Sequence, residues 1–372
     1  MKIYLVGGAV RDQLLGIPIK ERDYVVVGAT EEDMRRLGYT QVGKEFPVFL
    51  HPKTKEEYAL ARAERKVTAG YKGFTFDTSQ EVNLENDLKR RDLTINAMAI
   101  DQETNHLIDP YGGKTDLHHK ILRHVSSAFI EDPVRILRVA RFYARYAYLG
   151  FHIAEETILL MQKMVALGEV NALVPERVWK EFERALLEKN PEKFFEALAL
   201  CEALPILFPD LSLSQIGMKA LIAATSLTMD GSIRFASLFH DLPESKKSIS
   251  LLSKRYCLPN VYQELATLVA THHEKALKAR TLSADDLLDL LSALDIFRRE
   301  KRFEKFLVAC QAIADANKIS FDPTFLMACM KTAKSVDVQE LIDQGLTDQA
   351  LAEQLKKRRR EKIKAFINAS ML

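Results

Sequence analysis

Two acidic residues stand one position apart, Glu21 and Asp23, just before the apolar run at residues 24–27. This run is β-prone, and alternate residues of a strand point to the same face, so the two carboxylates are expected to project together. Paired carboxylates can hold Mg²⁺, a hard cation that prefers oxygen ligands and commonly bridges protein carboxylates to substrate phosphates. The competing interpretation is an acidic pair that is simply solvated at the start of a strand.

A glycine turn precedes the acidic pair. Gly7 and Gly8 follow a short apolar run at residues 3–6, and a helical pattern continues through residues 9–15. Backbone N–H groups at the start of a helix, together with the guanidinium of Arg11, would suit a polyphosphate. The Lys-Ser/Thr of a Walker A loop is missing, and a glycine pair before a helix can also be an ordinary turn.

A compact polar group, Arg90, Arg91 and Asp92, interrupts an apolar helical pattern at residues 84–99. The apolar spacing predicts one helix through this whole segment. The buried side of that helix would carry Leu88, Leu93, Ile95 and Met98. The polar group could contact a nucleotide, or it could be a surface charge cluster with one ion pair along the helix.

A polar row recurs at every third position from Asp132 through Arg135 and Arg138 to Arg141. Pro133 suits the first position of a helix and Asp132 suits its N-cap, so a helix is expected to begin here. The row climbs roughly 13 Å over nine residues, which is about the length of a nucleoside triphosphate. The simplest alternative gives Asp132 only a capping role.

Length and composition indicate a globular chain of several domains. The 372 residues are 47% apolar and carry a formal charge of +2, so RNA contact would rely on local basic patches such as residues 356–364. The four cysteines form no Cys-x-x-Cys pair, which argues against a structural zinc site or a disulfide scaffold. Because no signal-peptide pattern and no membrane-spanning apolar run occur, we expect a cytoplasmic protein with no membrane partner.

The second half of the chain has a different character. Beyond Tyr148 the strand signals fade and helical periodicity dominates, as at residues 178–187 and 191–198. Trp179 is expected in a helical core rather than on a base-stacking surface. The sequence therefore predicts an α+β protein, with a mixed-sheet N-terminal head followed by an all-α C-terminal half.

The order of these blocks resembles the nucleotidyltransferase superfamily of the DNA polymerase β type and, more narrowly, the bacterial class II tRNA nucleotidyltransferases that add CCA. The matching blocks are residues 2–12, 22–29, 46–52, 57–62, 90–97 and 131–141. The family usually carries Asp-x-Asp as its metal pair, whereas this chain has Glu21 and Asp23. Glutamate keeps the charge and places both oxygens one methylene further out, so metal binding is expected to survive.

The resemblance implies three parts and one reaction. Residues 1–145 would form a nucleotidyltransferase head, residues 146–210 a helical neck, and residues 211–372 a tRNA-binding helical body and tail. The reaction would be template-independent addition of C, C and A to the 3′ end of tRNA from CTP and ATP, with release of pyrophosphate. Mg²⁺, held by Glu21 and Asp23, is the expected cofactor, and the protein would be a monomer or a homodimer.

Further site residues are implied by the same resemblance. The residues expected to hold the nucleotide are Gly8, Arg11, Arg91, Arg138 and Arg141. Asp92 is expected near the ribose, where a carboxylate could accept hydrogen bonds from sugar hydroxyls. Glu64 is a candidate third carboxylate by its position alone, and the glycine-bearing segment 67–76 is expected to be a mobile loop or an ordinary surface loop.

Base selection is assigned to Asp132 and Arg135, which matches the use that the family makes of an Asp and an Arg from this motif. Cytosine and adenine both present an amino donor beside a ring-nitrogen acceptor on their Watson–Crick edges. A carboxylate can accept from the amino group while a guanidinium donates to the ring nitrogen. Guanine and uracil present the reverse pattern, so the same pair would reject them.

A second motif, His240-Asp241, is similar to the HD phosphohydrolase domain that some relatives carry. An intact site needs further histidine or aspartate ligands, and His272 and His273 do not complete that set. Two adjacent ligands are not expected to bind a divalent metal strongly. The region is therefore expected to be a helical remnant without hydrolase activity.

Several alternatives remain open at this level. A bacterial poly(A) polymerase shares the head motifs and would add only A. An enzyme that adds only CC or only A lies within the same family. From a different class, the chain could be an RNA-binding protein with weakened catalysis, in which Glu21 marks decay of the metal site, or an active HD phosphohydrolase.

Overall fold

The computed structural model describes residues 1–42, 48–66, 74–77, 82–209, 211 and 215–370. It divides the chain into two compact units, Met1–Pro209 and Asp210–Leu372. Most of the loop expected at residues 67–76 lies outside the described residues, and so does the side chain of Glu64.

The strands all belong to the first unit. They are β1 Lys2–Val6, β2 Asp23–Val27, β3 Thr40–Val42, β4 Val48–Leu50, β5 Glu57–Leu60, β6 Ala63–Lys66, β7 Phe74–Asp77, β8 Ala99–Asp101, β9 Leu107–Ile108, β10 Ile121–Leu122 and β11 His152–Ile153. Within the described ranges, seven of them form a mixed sheet in the order β3-β4-β5-β2-β1-β8-β9. Strands β6 and β7 pair antiparallel, and β10 pairs parallel with β11.

The register of the sheet places the acidic strand at its centre. Strand β2 runs antiparallel to β1, with Asp23 opposite Val6, and parallel to β5, with Asp23 beside Glu57. Apolar residues such as Tyr4 and Val25 pack with Leu88 in a core beneath one face. Since Gly7 directly follows Val6, the register brings the glycine turn next to Asp23.

The helices of the first unit surround this sheet and extend beyond it. They are α1 Gly8–Leu14, α2 Glu31–Arg36, α3 Leu84–Lys89, α4 Gly113–His119, α5 Val134–Tyr146, α6 Glu155–Ala166, α7 Pro175–Leu186, α8 Glu192–Leu200 and α9 Leu204–Leu207. Helix α5 packs against α7 and α8. As predicted, Trp179 is buried and meets Phe182 edge to face at 5.7 Å between ring centroids.

The single helix predicted over residues 84–99 is wrong. Helix α3 ends at Lys89, a 3-10 turn follows at Thr94–Asn96, and β8 begins at Ala99. The break has a local cause, because the carboxylate of Asp92 accepts the backbone N–H of Leu93 at 2.8 Å and so favours a turn over the helix. The apolar spacing that suggested a helix comes from residues buried on both sides of this turn.

The second unit consists of helices within its described residues. They are α10 Gln215–Leu227, α11 Gly231–Leu238, α12 Ser245–Tyr256, α13 Asn260–Leu277, α14 Ala284–Ala293, α15 Glu300–Asn317, α16 Pro323–Lys334, α17 Val338–Asp343 and α18 Asp348–Ser370. The prediction of a mixed-sheet part followed by an all-α half is thus confirmed, apart from the two-residue strand β11 at His152–Ile153. In the part of the chain that the structure describes, every helix is too short or too polar to cross a bilayer.

The close packing of Gly113 against the turn at Thr94 can be tested by substitution. A Cβ at position 113 would lie 2.2 Å from the carbonyl oxygen of Thr94 and 2.8 Å from Cγ of Met98. We expect Gly113→Ala to lower the free energy of unfolding by about 1–3 kcal/mol, measured by urea denaturation, because the backbone must move to admit the methyl group.

The neighbouring Lys114→Ala is the matched control, since Lys114 is exposed. Its effect should stay within about 0.5 kcal/mol. Equal stability of the Gly113→Ala variant and the unaltered protein would contradict this account of the turn.

Candidate nucleotide and metal site

The two carboxylates predicted as a metal pair lie at the N-terminal end of β2. Asp23 is the first residue of the strand, whereas Glu21 precedes it and belongs to no strand or helix. Burial raises the pKa of Asp23, Arg91 lowers it, and Glu21 raises it again. The carboxylates are therefore close enough to repel each other, which is the electrostatic situation that a bound cation relieves.

Glu57 joins this acidic edge, and the sequence reasoning missed it. It lies beside Asp23 in the parallel register of β2 and β5, and paired residues of neighbouring strands share a face. The next pair along, Tyr24 and Tyr58, stacks on the opposite face with ring centroids 4.4 Å apart. The signal in the sequence was the acidic start of a second strand, but the pairing of that strand could not be known.

The glycine turn is shaped around Arg91. Gly7 has φ +69°, a conformation that favours glycine, and a Cβ there would lie 2.8 Å from Nη1 of Arg91. Arg91 donates to Asp87 at 3.2 Å, while its buried Nε makes no hydrogen bond within the described residues. Arg91 thus lies against the glycine turn through Nη1 and acts electrostatically on Asp23, and its Nε–H is suited to an anionic oxygen. Gly8 begins α1 directly after this turn.

Arg11 lies deeper than a surface phosphate ligand would. Its side chain is 4% exposed and donates to Oδ1 of Asp12 from Nε and Nη2, at 2.9 and 2.7 Å. Nη1 donates to Oδ1 of Asn96 at 2.5 Å, and the guanidinium lies 5.1 Å from the ring centroid of Tyr146. Arg11 thus ties α1 to the 3-10 turn and to α5 from beneath the glycines.

Asp92 and Arg138 form a nearly buried ion pair. Nε of Arg138 donates to Oδ2 of Asp92 at 2.7 Å, and the amide of Asn96 donates to Oδ1 at 2.9 Å. Burial opposes ionisation of Asp92, but Arg138 and the hydrogen bond from Asn96 hold the pKa of this carboxyl far below its usual value. Since the Arg138 side chain is still 34% exposed, it can also meet a ligand.

Arg141 is paired in the same manner with α7. Its Nε donates to Oε2 of Glu181 at 2.5 Å, and both side chains are more than nine-tenths buried. Nη1 of Arg138 lies 3.8 Å from the other oxygen of Glu181, so one carboxylate serves two arginines. Burial raises the pKa of the neighbouring Glu188 although Arg145 and Arg141 are close.

Asp132 stands one position before the N-cap of α5, which is Pro133 and not Asp132 as predicted, and its carboxylate has two partners. Its Oδ1 accepts the backbone N–H of Val134 at 3.1 Å, and α5 begins at Val134, one residue after the predicted start. Both carboxylate oxygens also accept from Arg177, at 3.1 Å from Nη1 and 2.8 Å from Nη2. Arg177 was not identified from the sequence, because nothing local links it to a residue 45 positions away.

Arg135 is held by backbone carbonyls. Nη1 donates to the carbonyl of Ala128 and Nη2 to that of Arg90, both at 2.6 Å. The guanidinium therefore joins α5 to the polar turn that follows α3. Arg135 lies in the first turn of α5 and Asp132 two positions before the helix, and each already has firm contacts in this structure.

The predicted residues thus come together around one edge of the sheet and one side of α5. The cations Arg138 and Arg141 are matched by Asp92 and Glu181, whereas Arg91 pairs with Asp87 and keeps a buried Nε–H that makes no hydrogen bond to any residue the structure describes. An incoming triphosphate would compete with protein carboxylates for these guanidinium groups. Each guanidinium would exchange a carboxylate partner for a phosphate oxygen. Because the carboxylates are present, these guanidinium groups have partners before the anion binds.

The oxygen donors fit a hard divalent cation. Among the described residues, no three His, Cys, Asp or Glu side chains form a ready set of metal ligands. Mg²⁺ usually takes only one or two protein carboxylates and completes its shell with water and substrate phosphates. Glu21 and Asp23 can supply that share.

In the second unit, the structure brings together residues that the sequence reasoning kept apart. The rings of His240 and His273 lie 5.0 Å apart between centroids, and a pocket of about 250 Å³ is lined by both together with Asp241 and Glu274. Each Nδ1 donates to a backbone carbonyl, at 2.7 Å to Ser237 and at 2.9 Å to Val269. Burial lowers the pKa of His240.

Comparison with known proteins agrees with this geometry. Residues 3–123 match the family described as Poly A polymerase head domain, and residues 150–214 match the family described as Probable RNA and SrmB- binding site of polymerase A. The CCA-adding enzyme of Coxiella burnetii (strain RSA 331 / Henzerling II) is 50% identical over 368 residues, covering 99% of this chain and 96% of that protein. The Multifunctional CCA protein of Thioalkalivibrio sulfidiphilus (strain HL-EbGR7) is 48% identical over 403 residues, covering 98% of each.

A solved CCA-adding enzyme in complex with CTP has the same fold, with a TM-score of 0.71 and 25% identity over 98% of this chain and 87% of that one. The relationship in sequence spans both units and is not confined to the head. The resemblance inferred from the sequence blocks is thereby confirmed: the chain belongs to the family of the CCA-adding enzymes.

Proposed function

We propose that this chain adds C, C and A to the 3′ end of tRNA without a nucleic-acid template, using CTP and ATP and releasing pyrophosphate. The observation that carries the proposal is 50% identity over 99% of the chain to a CCA-adding enzyme. A poly(A) polymerase would share the head, but relatives that match both units bear the CCA name. The acidic edge and the arginines of α5 supply a site of the required chemistry.

Glu21 and Asp23 are the proposed ligands of Mg²⁺. Asp23 is fixed by the ladders of β1 and β5, so its carboxylate has a defined position beside the glycine turn. A bound divalent cation would favour the 3′-oxyanion as nucleophile and stabilise charge on the α-phosphate and the leaving pyrophosphate. Glu21 approaches from the less constrained segment before the strand.

The guanidinium groups divide the work of holding the triphosphate. Arg91 lowers the pKa of Asp23 and has a buried Nε–H that makes no hydrogen bond within the described residues, so it is proposed to hold a phosphate near the metal pair. Arg138 and Arg141 release part of their contact with Asp92 and Glu181 when phosphate oxygens arrive. Arg11 is paired and buried, so its proposed part is to fix the turn at Gly8 from below.

Base choice is assigned to the first turn of α5. Asp132 would accept the amino group of cytosine or adenine, and Arg135 would donate to the adjacent ring nitrogen. For that contact one N–H of Arg135 would leave its backbone carbonyl and turn to the base. Uracil and guanine offer a carbonyl where Asp132 needs a donor, so they are rejected.

The reaction is tested with purified protein, Mg²⁺ and tRNA that ends at the discriminator base, at CC or at CCA. Labelled CTP, ATP, GTP and UTP are offered separately and together. Ordered addition of C, C and A that then stops is the expected result. Open-ended addition of A would indicate a poly(A) polymerase, addition of only CC or only A would indicate a partial enzyme, and tRNA binding without incorporation would contradict catalysis.

The metal pair gives a prediction for two carboxylates. Glu21→Gln and Asp23→Asn should each lower kcat/KM for CTP incorporation by roughly 100-fold or more, since each removes a charged metal ligand worth several kcal/mol. Glu21→Asp should retain most activity, because it restores the family pattern. Incorporation of labelled CTP at varied Mg²⁺ measures both effects.

Glu32→Gln is the matched control, an exposed glutamate on α2. It should leave kcat/KM unchanged. Full activity of Glu21→Gln at every Mg²⁺ concentration would remove Glu21 from the metal site while leaving the rest of the proposal intact.

Base selection gives a further prediction. Asp132→Ala should lower the preference for CTP over UTP by about 10- to 100-fold, because a base contact of this kind contributes about 1–3 kcal/mol of discrimination. The dependence on Mg²⁺ should stay as in the unaltered protein. Competing incorporation of the two nucleotides measures the preference.

The Asp132→Ala substitution also removes the hydrogen bond to the N–H of Val134 at the start of α5. The control variant must therefore remove a similar hydrogen bond at the start of another helix. Asp337 caps α17 and accepts the N–H of Gln339 at 2.8 Å. Asp337→Ala should lose comparable stability, about 1 kcal/mol, with no change in base preference. A preserved preference in Asp132→Ala would contradict the assignment.

A further inference from the structure

We infer that Arg177 is a positioning residue for base selection: its guanidinium fixes the Asp132 carboxylate so that one acceptor position faces the base. The inference rests on the proposed function of Asp132. Arg177 lies on α7 and Asp132 directly before α5, so the contact crosses between two helices that pack together.

The geometry of the contact is bidentate. Nη1 and Nη2 of Arg177 donate to Oδ1 and Oδ2 of Asp132 at 3.1 and 2.8 Å. Two parallel N–H groups fix the plane of a carboxylate, which a single donor cannot do. The two side chains are 30% and 23% exposed, so the pair is shielded but still reachable by a substrate.

Counting acceptor positions shows what the contact leaves available. A carboxylate offers about four lone-pair positions, two on each oxygen. Oδ1 is used by the backbone N–H of Val134 and by Nη1 of Arg177, and Oδ2 is used by Nη2. Among the hydrogen bonds of the described residues, one position on Oδ2 remains. This matches the single amino N–H that cytosine or adenine directs at a reader on its Watson–Crick edge.

The helix that carries Arg177 is itself held by packing and by a second ion pair. Pro175 opens α7, and Trp179 and Phe182 bury the helix in an aromatic core. Four residues after Arg177, Glu181 binds Arg141 of α5 at 2.5 Å, and residues four apart share one face of a helix. Helix α7 therefore makes two ion pairs with α5 and the residues just before it. Arg177 pairs with Asp132 at the proposed base-reading end, and Glu181 pairs with Arg141 at the proposed phosphate end.

Without Arg177 the Asp132 carboxylate would keep its hydrogen bond from the N–H of Val134, but nothing would fix the plane of the carboxylate. The carboxylate could then rotate and accept hydrogen bonds from other donors. It could also accommodate a base carbonyl through a bridging water molecule. Removal of Arg177 should thus weaken the distinction between amino and carbonyl groups more than it weakens binding of the triphosphate, which other arginines hold.

The experiment compares Arg177→Met, Arg177→Lys and the control Arg184→Met. Arg184 is exposed on the same helix, about two turns further along. Dissociation constants for CTP and UTP are measured by calorimetry, and kcat/KM for their incorporation is measured with tRNA that lacks CCA. Binding reports on recognition even in a protein that performs no chemistry, so failure of the proposed reaction and failure of this inference are separable.

We expect the preference for CTP over UTP to fall by roughly 10-fold in Arg177→Met, in binding and in incorporation alike. Arg177→Lys should recover part of it, since lysine restores the charge but only one point of contact. Arg184→Met should match the unaltered protein. In an Asp132→Ala background, Arg177→Met should cause no further loss, because Arg177 acts through that carboxylate.

An unchanged CTP preference in folded Arg177→Met would overturn the inference, and so would a loss of equal size in the Asp132→Ala background. If Arg177→Met does not fold, as judged by urea denaturation, Arg177→Lys decides alone. A lysine variant with the full preference of the unaltered protein would show that charge suffices and that the bidentate plane has no role.

Discussion

The pairing of one half-buried and one buried arginine with two buried carboxylates is the constraint on which the candidate site depends. Isolated charges are costly to remove from water, so Arg138 and Arg141 can stand on a largely buried face of α5 only because Asp92 and Glu181 meet them. These partners come from the turn after α3 and from α7. The same ion pairs that neutralise the cations therefore join the sheet, the selecting helix and the helix behind it into one piece.

This arrangement changes how substrate binding should be understood. A pocket of bare arginines would attract any polyanion and would be expensive to fold. In the proposed function a triphosphate would exchange with protein carboxylates, and that exchange would cost little for a ligand whose oxygens reach the same N–H groups. The proposed base end differs, because Asp132 is held by Arg177 and by the N–H of Val134 and would offer what remains of its acceptor capacity. Under this proposal, affinity and selectivity would reside at opposite ends of α5.

The sequence predicted the parts whose signals are local. Periodicity and capping residues placed α5 to within one residue, and alternation placed β2 and its acidic start. Partners distant in the chain could not be predicted: Glu181 lies 40 positions from Arg141, and Glu57 meets Asp23 only through strand pairing. The helix expected over residues 84–99 failed for a local reason that periodicity does not reveal, since the carboxylate of Asp92 accepts the N–H of Leu93 and turns the chain.

The glutamate in the metal pair is best explained by where the backbone is held. Asp23 is bound on both sides by strand ladders, so its carboxylate cannot shift to suit a longer or shorter side chain. Glu21 lies outside every ladder in the described residues. A segment that is free of ladder hydrogen bonds can retract by the length of one methylene at little cost, whereas a strand residue cannot. If Glu21 and Asp23 hold the metal as proposed, the departure from the family pattern stands at the member of the pair that lies outside the ladders of the described residues.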